Sequence, residues 1–275
     1  MTDPEPAPPV VAERLDAALA ARGLARSRTN AAHLIGDGLV TVDGRPALKP
    51  SLRVRAEQEL AVAATDHYVS RAAHKLNAAL DAFAVDVAGR TVLDVGASTG
   101  GFTQVLLERG ALSVIALDVG HEQLAAAVRA DERVVVIEGM NARYLTRETL
   151  SSATPGVPVP DLVVADLSFI PLGLVLPAIV QSVEKDADVV VLIKPQFEVG
   201  RGGVKEGIVR DAGLREDAIS GVLWAAWDLG LGTAGLISSP IAGSAGNHEY
   251  LAWFSTGRGS NPTEWTGQVS ALAKA

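Results

Sequence analysis

Asp94-Val95-Gly96-Ala97-Ser98-Thr99-Gly100-Gly101-Phe102 follows an apolar run and opens a stretch with helical periodicity. Glycines at such a junction let the backbone turn and approach a ligand closely without steric cost. The pattern is neither G-x-G-x-x-G nor a Walker loop, since no Gly-Lys-Ser/Thr follows, and a pyrophosphate ligand is disfavoured. Asp118 closes the next strand-like run, 22 residues after Gly96. An acid at that distance suits the paired hydroxyls of a ribose. The glycines alone fit an ordinary strand–helix turn as well; Asp118 tips the reading toward a nucleoside site.

Three further charges fall where parallel sheets hold substrates. Asp166 ends a fourth apolar run, and Lys194 ends a fifth within Ile193-Lys194-Pro195. Charged groups at the carboxyl edge of parallel strands face the ligand crevice. Glu249 precedes Tyr250-Leu251-Ala252-Trp253-Phe254. If that strand is antiparallel, its start meets the ends of the others, and Glu249 joins Asp166 and Lys194. Each residue singly reads as a strand-terminal charge in water; three at one edge make a site. Lys75 and His74, in the helix-like Ser70-Arg71-Ala72-Ala73-His74-Lys75-Leu76, read by themselves as helix-surface residues. The five histidines are scattered without H-E-x-x-H spacing, so no metal site is expected.

Alternating elements are needed to bring these residues together. RTVLDVG, SVIALDV, VVVIEGM, PDLVVADL and ADVVVLIKP are short Val/Ile/Leu runs separated by helix-like stretches. That alternation predicts a parallel sheet with helices on both faces. Segments around Leu236-Ile237 and Tyr250 to Phe254 complete it. Upstream, Leu15, Ala18 and Leu19 recur at helical spacing before Gly23. Ser27 reads as the N-cap of a second helix bearing Ala31, Leu34 and Ile35, ended at Gly36. Asp43-Gly44 between alternating stretches signals a hairpin.

Composition narrows the classes. The 275-residue chain is 48% hydrophobic and 20% charged, enough to bury a large core. It has no cysteine, which removes disulfides, thiolate metal sites and Cys nucleophiles. Its 24 Lys and Arg against 32 Asp and Glu leave −8, so a uniformly basic surface is excluded. Between Arg14 and Arg55, however, seven arginines and one lysine outweigh three aspartates by five charges. A small basic unit beside an acidic domain suits a tethered binder of polyanions, although charge alone fits a solvated face equally well. The acidic, Pro-rich start lacks the features of an export signal. Leu167 to Val183 holds Pro171 and Pro177, and Leu229 to Asn247 holds five glycines, so neither reads as a membrane span. A cytoplasmic protein is expected. No heptad or long apolar stripe requires a second copy, and a monomer is expected.

Five motifs in order make the chain resemble a known family. They are Val69 to Leu76, Asp94 to Phe102, Asp166-Leu167-Ser168-Phe169-Ile170, Lys194-Pro195-Gln196-Phe197-Glu198 and Gly246-Asn247-His248-Glu249-Tyr250. From about Glu13 to Gly257 the chain resembles the TlyA (hemolysin A) family of S-adenosylmethionine-dependent ribosomal RNA 2′-O-methyltransferases. The resemblance implies an α/β fold: a Rossmann-like, seven-stranded FtsJ-like methyltransferase sheet, mostly parallel with one antiparallel strand, and a small N-terminal α+β, S4-like RNA-binding domain. The expected boundaries are a disordered tail at 1–10, the basic domain at 11–65, a linker at 66–69, the methyltransferase at 70–260 and a C-terminal segment at 261–275. The resemblance also implies a catalytic tetrad of Lys75, Asp166, Lys194 and Glu249, and lifts Lys75 above a surface role. The chain departs at the connector: Asp66-His67-Tyr68-Val69 stands where the family carries an Arg-Ala-Trp-Val type sequence. Coupling of the domains through that linker is therefore not carried over.

The implied cofactor, S-adenosylmethionine, would be held by Asp94, Gly96, Ala97, Ser98, Thr99, Gly100, Gly101, Phe102, Asp118, Asn141 and Asp166, with Asn141 toward the adenine. Lys194 is the expected centre of the chemistry, with Lys75 and Glu249 orienting it and Asp166 nearest the methyl donor. Phe197 is expected in the core; Phe169 fits the core and a stacking role equally. Candidate RNA contacts are Arg14, Arg22, Arg26, Arg28, Lys49, Arg53 and Arg55, plus Arg201 and Lys205 in the Gly-rich loop 199–205; a surface loop without function is the alternative for the last two. The partner is ribosomal RNA or a ribosomal subunit, with cytidine the nucleotide the family implies. A base methylase would want an Asn/Asp-Pro-Pro-aromatic loop where this chain has Asp166-Leu167-Ser168-Phe169. A pore would need apolar runs without Pro and Gly, and a silent assembly protein would not need the tetrad.

Overall fold

The computed structural model describes residues 12–25, 27–36, 38–62, 67–200, 203–204, 206–243 and 246–275. The chain forms two compact units that divide between His67 and Tyr68. Residues 1–10, Arg26, Asp66, Arg201 and Lys205 lie outside the described residues.

The small unit pairs β1 (Glu13–Arg14) with β4 (Arg53–Val54), and lines β2 (Val40–Val42) between β3 (Arg45–Pro46) and β5 (Leu60–Val62), all antiparallel. Helices α1 (Leu15–Ala21) and α2 (Arg28–Gly36) pack on it. Leu15, Ala18, Leu19, Ala31, Ile35, Val40 and Val54 are fully buried, the small aliphatic core that the periodicity requires. Ser27 Oγ accepts from the Asn30 amide at 3.1 Å and caps α2. Asp43 and Gly44 both take positive φ, the geometry of a tight hairpin turn between β2 and β3.

The large unit is a seven-stranded sheet in the order β11-β12-β10-β9-β6-β7-β8. Its strands are β6 (Thr91–Val95), β7 (Ser113–Leu117), β8 (Val134–Ile137), β9 (Leu162–Ala165), β10 (Asp188–Ile193), β11 (Gly232–Ser238) and β12 (Tyr250–Ser255). Five consecutive members of the sheet, β10 to β8, run parallel; β12 is antiparallel to both β10 and β11. Strands covered on both faces read as unbroken apolar runs, because each side chain meets a core whichever way it points. One face, built on Leu93, Ile115, Val163 and Val191, receives Ile179 of α7 (Leu176–Ser182), Ile219 and Leu223 of α9 (Ala212–Trp227) and Val269 of α10 (Thr266–Lys274). The other, built on Val92, Val114, Val164 and Val190, receives Leu76 and Leu80 of α3 (Ala72–Phe83) and Leu106 of α4 (Gly101–Glu108). Residues 261–275 thus pack as a helix against the sheet rather than trailing from it.

Arg90 secures the amino edge of the sheet, donating to Asp188 Oδ2 at 2.9 Å and pairing with Asp161. That edge is closed by charge pairing, and the carboxyl edge is left for ligands. Among the described residues, no helix is long and apolar enough to cross a membrane.

At one end of β11, Gly232 and Gly259 touch backbone to backbone; a Cβ on Gly259 would lie 2.1 Å from the Gly232 carbonyl oxygen. Backbone cannot rotate aside as a side chain does. Gly259→Ala is expected to cost about 1–3 kcal/mol in urea unfolding; an unchanged midpoint would contradict this packing.

Candidate active site

The turn after β6 is shaped by Gly96, with φ +85°. A Cβ there would sit 2.7 Å from the Asp166 carbonyl oxygen, so only glycine lets the first turn close against the end of β9. Ser98 follows, and its amide donates to Asp118 Oδ2 at 2.8 Å, while the Gly120 amide donates to Oδ1 at 2.7 Å. Two backbone donors therefore fix the Asp118 carboxylate, and each oxygen keeps a further lone pair. Beside it opens a cavity of about 570 Å³ whose wall includes Gly96, Ser98, Asp118, Asn141 and Asp166. Cavities of a few hundred cubic ångströms suit drug-sized ligands such as a nucleoside.

The other expected cofactor residues lie behind this wall. Asp94 is fully buried; Thr103 Oγ1 donates to its Oδ2 at 2.6 Å, and Oδ1 has no hydrogen-bond partner. Phe102 and Ala97 are buried, the former in the core against α3. Thr99 is exposed, and its carbonyl accepts from the Ala125 amide. Gly100 and Gly101 pack closely against Leu124 and Ser70. The glycine motif thus combines ligand-facing positions with positions that only allow the helix to pack. Met140, Gln123, Leu167 and Ser168 also line the cavity. Nothing in their residue types distinguishes them in sequence; Leu167 and Ser168 stood only within the motif that begins at Asp166.

The four charged residues meet at the carboxyl edge as two ion pairs. Lys75 reaches in from α3, with Nζ donating to Glu249 Oε2 at 2.5 Å; both side chains are buried. Lys194 Nζ lies 2.6 Å from Asp166 Oδ1, close enough to pair yet not aligned as a hydrogen bond, and donates to Ser168 Oγ at 3.0 Å. The β10–β12 register sets Ile193 opposite Tyr250, so one step further Lys194 and Glu249 are neighbours. Antiparallel β12 is what delivers Glu249 to that edge.

Phe169 is 90% exposed at the cavity rim, with φ +66°, so it is no part of the core. Phe197, expected in the core, is instead half-buried, its ring centroid 5.0 Å from that of Phe169. The short helix α8 (Pro195–Glu198) turns it toward the rim.

In the small unit the basic residues divide. Arg14 and Arg28 both bond the buried Asp16, whose carboxyl the Arg14 guanidinium above all holds down at about 2 against the opposing effect of burial. Arg22 donates to the carbonyls of Gln58 and Arg55, and Arg53 to that of Ala12. Lys49 and Arg55 present exposed side chains.

A doubly covered sheet of this order, with a nucleoside-sized cavity and paired charges at its carboxyl edge, defines a methyltransferase joined to a small basic domain. Comparison agrees: the FtsJ-like methyltransferase family matches residues 68–256, and the S4 domain matches residues 13–60. The chain is 52% identical over 246 residues, 88% of its length and 90% of the relative's, to the 16S/23S rRNA (cytidine-2′-O)-methyltransferase TlyA of Mycobacterium tuberculosis. It is 40% identical over 242 residues, 88% of its length and 99% of the relative's, to hemolysin A of Brachyspira hyodysenteriae. A solved structure from Streptococcus thermophilus, carrying a provisional hemolysin description, superposes with a TM-score of 0.73 at 37% identity, over 97% of both chains. The chain belongs to the TlyA family of FtsJ-like methyltransferases.

Burial pushes the Asp94 carboxyl from 3.8 to about 7, against the Thr103 hydrogen bond and with help from Asp166 and Asp118. The folded state holds that proton more tightly than the unfolded chain, so the group's contribution to stability is lost as pH climbs from about 4 to about 7. Asp94→Asn keeps an acceptor for Thr103 and cannot titrate. Its stability relative to wild type should rise by up to roughly 4 kcal/mol across that window, measured by urea unfolding at each pH. Parallel profiles for the two proteins would contradict the assignment.

Proposed function

We propose that the protein transfers a methyl group from S-adenosylmethionine to the 2′-hydroxyl of a cytidine ribose in ribosomal RNA. The observation that carries this reading is the pairing of Lys75 with Glu249 and of Lys194 with Asp166 beside the 570 Å³ cavity. Such an arrangement is suited to aligning a hydroxyl with a methyl donor and to steadying charge on the reacting oxygen.

The cavity fits the cofactor. Asp118 has lone pairs to accept from two ribose hydroxyls, Asn141 on the same wall would reach the base, and Gly96 with its positive φ lets the backbone turn tightly beside them. When bound, S-adenosylmethionine supplies an electrophilic sulfonium methyl, so the protein's task is alignment and charge control. Asp166 lies where the cavity meets the tetrad and holds Lys194 Nζ by charge. Ser168 Oγ accepts from the same nitrogen and fixes its direction. Lys194 would thereby bond the ribose 2′-oxygen and steady its charge as the oxygen takes the methyl and the hydroxyl proton passes to solvent water. Lys75 and Glu249, buried as a pair, form the wall against which Lys194 is ordered and add no net charge.

The small domain supplies affinity rather than chemistry. Lys49 and Arg55, with the guanidinium edges left free by Arg14 and Arg28, are proposed to contact phosphates. Replacing Lys49 and Arg55 together by Glu should raise KM for the RNA substrate and leave kcat near wild type, with binding that weakens as salt rises. Unchanged KM at moderate salt would contradict that role.

Transfer of tritium from labelled S-adenosylmethionine into purified small and large ribosomal subunits tests the main reading. Wild type should label RNA, and Lys194→Ala should lose roughly 10²-fold or more in rate while binding the cofactor with nearly unchanged affinity by calorimetry. Near-normal transfer by the variant would overturn the role of Lys194. Cofactor binding by wild type without label in either subunit would overturn the substrate.

A further inference from the structure

The segment from Asp166 to Leu172 forms one rim of the cavity, and Asp166, Leu167, Ser168, Phe169 and Ile170 all line it. It has no ladder of its own to hold it. Its first residue is tied to the sheet by the Asp166 amide, which donates to the Val95 carbonyl at 3.1 Å. Beyond that point it carries Phe169, a bulky residue in the left-handed region with its ring almost wholly in solvent. Such a conformation persists only where the surroundings enforce it.

The enforcement comes from the five residues that begin at Lys194. Lys194 pairs with Asp166 and donates to Ser168; Phe197 lies under Phe169; Glu198 Oε1 accepts from the Leu172 amide at 2.9 Å. The side chains of 194, 197 and 198 thus meet the rim at successive points, and Glu198 takes the far end. Leu172 opens a 3-10 turn (Leu172–Leu174), so the carboxylate also satisfies a donor at a helix start that has no internal partner.

Glu198 is an expensive choice for that task. Burial pushes its carboxyl to about 7, offset only in part by the Leu172 amide. Among the described residues it forms no ion pair, and the titratable neighbour on the small cavity beside it is Asp217 of α9, which offers no compensating charge. An apolar side chain would fill the same space at lower cost but would leave the Leu172 amide without its acceptor.

We propose that Glu198 is a positioning residue that latches the rim segment Phe169–Leu172 in the conformation that receives the RNA nucleotide. It touches neither donor nor acceptor of the methyl group; it acts through Leu172 and the strained backbone of Phe169. The kinetic part of this inference rests on the methyl-transfer reading; the latch itself does not.

Two variants separate the latch from simple packing. Glu198→Gln keeps an acceptor of the same shape and loses the charge; Glu198→Ala loses the acceptor. Amide hydrogen exchange at Leu172 should be about ten-fold faster in Glu198→Ala and near wild type in Glu198→Gln. With ribosomal subunits as substrate, Glu198→Ala should raise KM for RNA about ten-fold while kcat and cofactor affinity stay within about two-fold, and Glu198→Gln should restore KM. Unchanged Leu172 exchange in Glu198→Ala, an unchanged KM, or equal impairment of both variants would overturn the proposal. If wild type itself transfers no methyl, the functional reading falls, and the exchange measurement alone decides the latch.

Discussion

Lys75 and Glu249 stand 174 residues apart, and their charged atoms meet at 2.5 Å with both side chains out of water. Taking two charges from solvent is costly, and removing one partner would strand the other at a cost of about 3–5 kcal/mol. The contact therefore constrains the large unit as a whole. It requires α3 to pack where its first turn overlooks the strand ends, and β12 to thread between β11 and β10 in the reverse direction. Only then does the start of one strand coincide with the finish of its neighbours.

Once that edge is assembled, the remaining geometry follows from short connections. Lys194 is the next residue after β10, Asp166 the next after β9, and Gly96 the next after β6. Each sits where its strand stops, so the precision of the sheet is passed to the site through one or two bonds of backbone. Arg90 clamps the opposite edge, and the strand ends cannot drift relative to one another without breaking its pairs with Asp161 and Asp188. The carboxyl edge is rigid because five parallel strands end there together.

Much of this was legible in the sequence for physical reasons. Strands buried on both faces must be apolar throughout, so β6 to β10 stand out as runs. Asp118 was marked by its spacing, and Asp166, Lys194 and Glu249 by being charges at strand ends. Lys75 was not legible in this way: one buried lysine in a helix looks like any surface lysine until its partner is known, and only family resemblance singled it out. Within the glycine motif Gly96 and Ser98 face the cavity, while Asp94, Phe102, Gly100 and Gly101 are packed behind it, a division the pattern itself does not display. Phe197 was expected in the core; the turn at Pro195 leaves it half-buried beside Phe169 instead. Arg14 and Arg28 looked like free phosphate contacts because sequence does not reveal that both are drawn to the buried Asp16. Glu198 stood only as the last residue of a motif, without a role, since its partner is visible only in the fold.

On the proposed function, this edge directs a methyl group to a ribose oxygen. The most direct test is the chemical position of that methyl in RNA labelled by the wild-type enzyme. Alkali cleaves RNA through a free 2′-hydroxyl, so complete alkaline hydrolysis should leave the label in a resistant dinucleotide whose 5′ residue is 2′-O-methylcytidine. Label recovered in ordinary mononucleotides, and therefore on a base, would contradict the account.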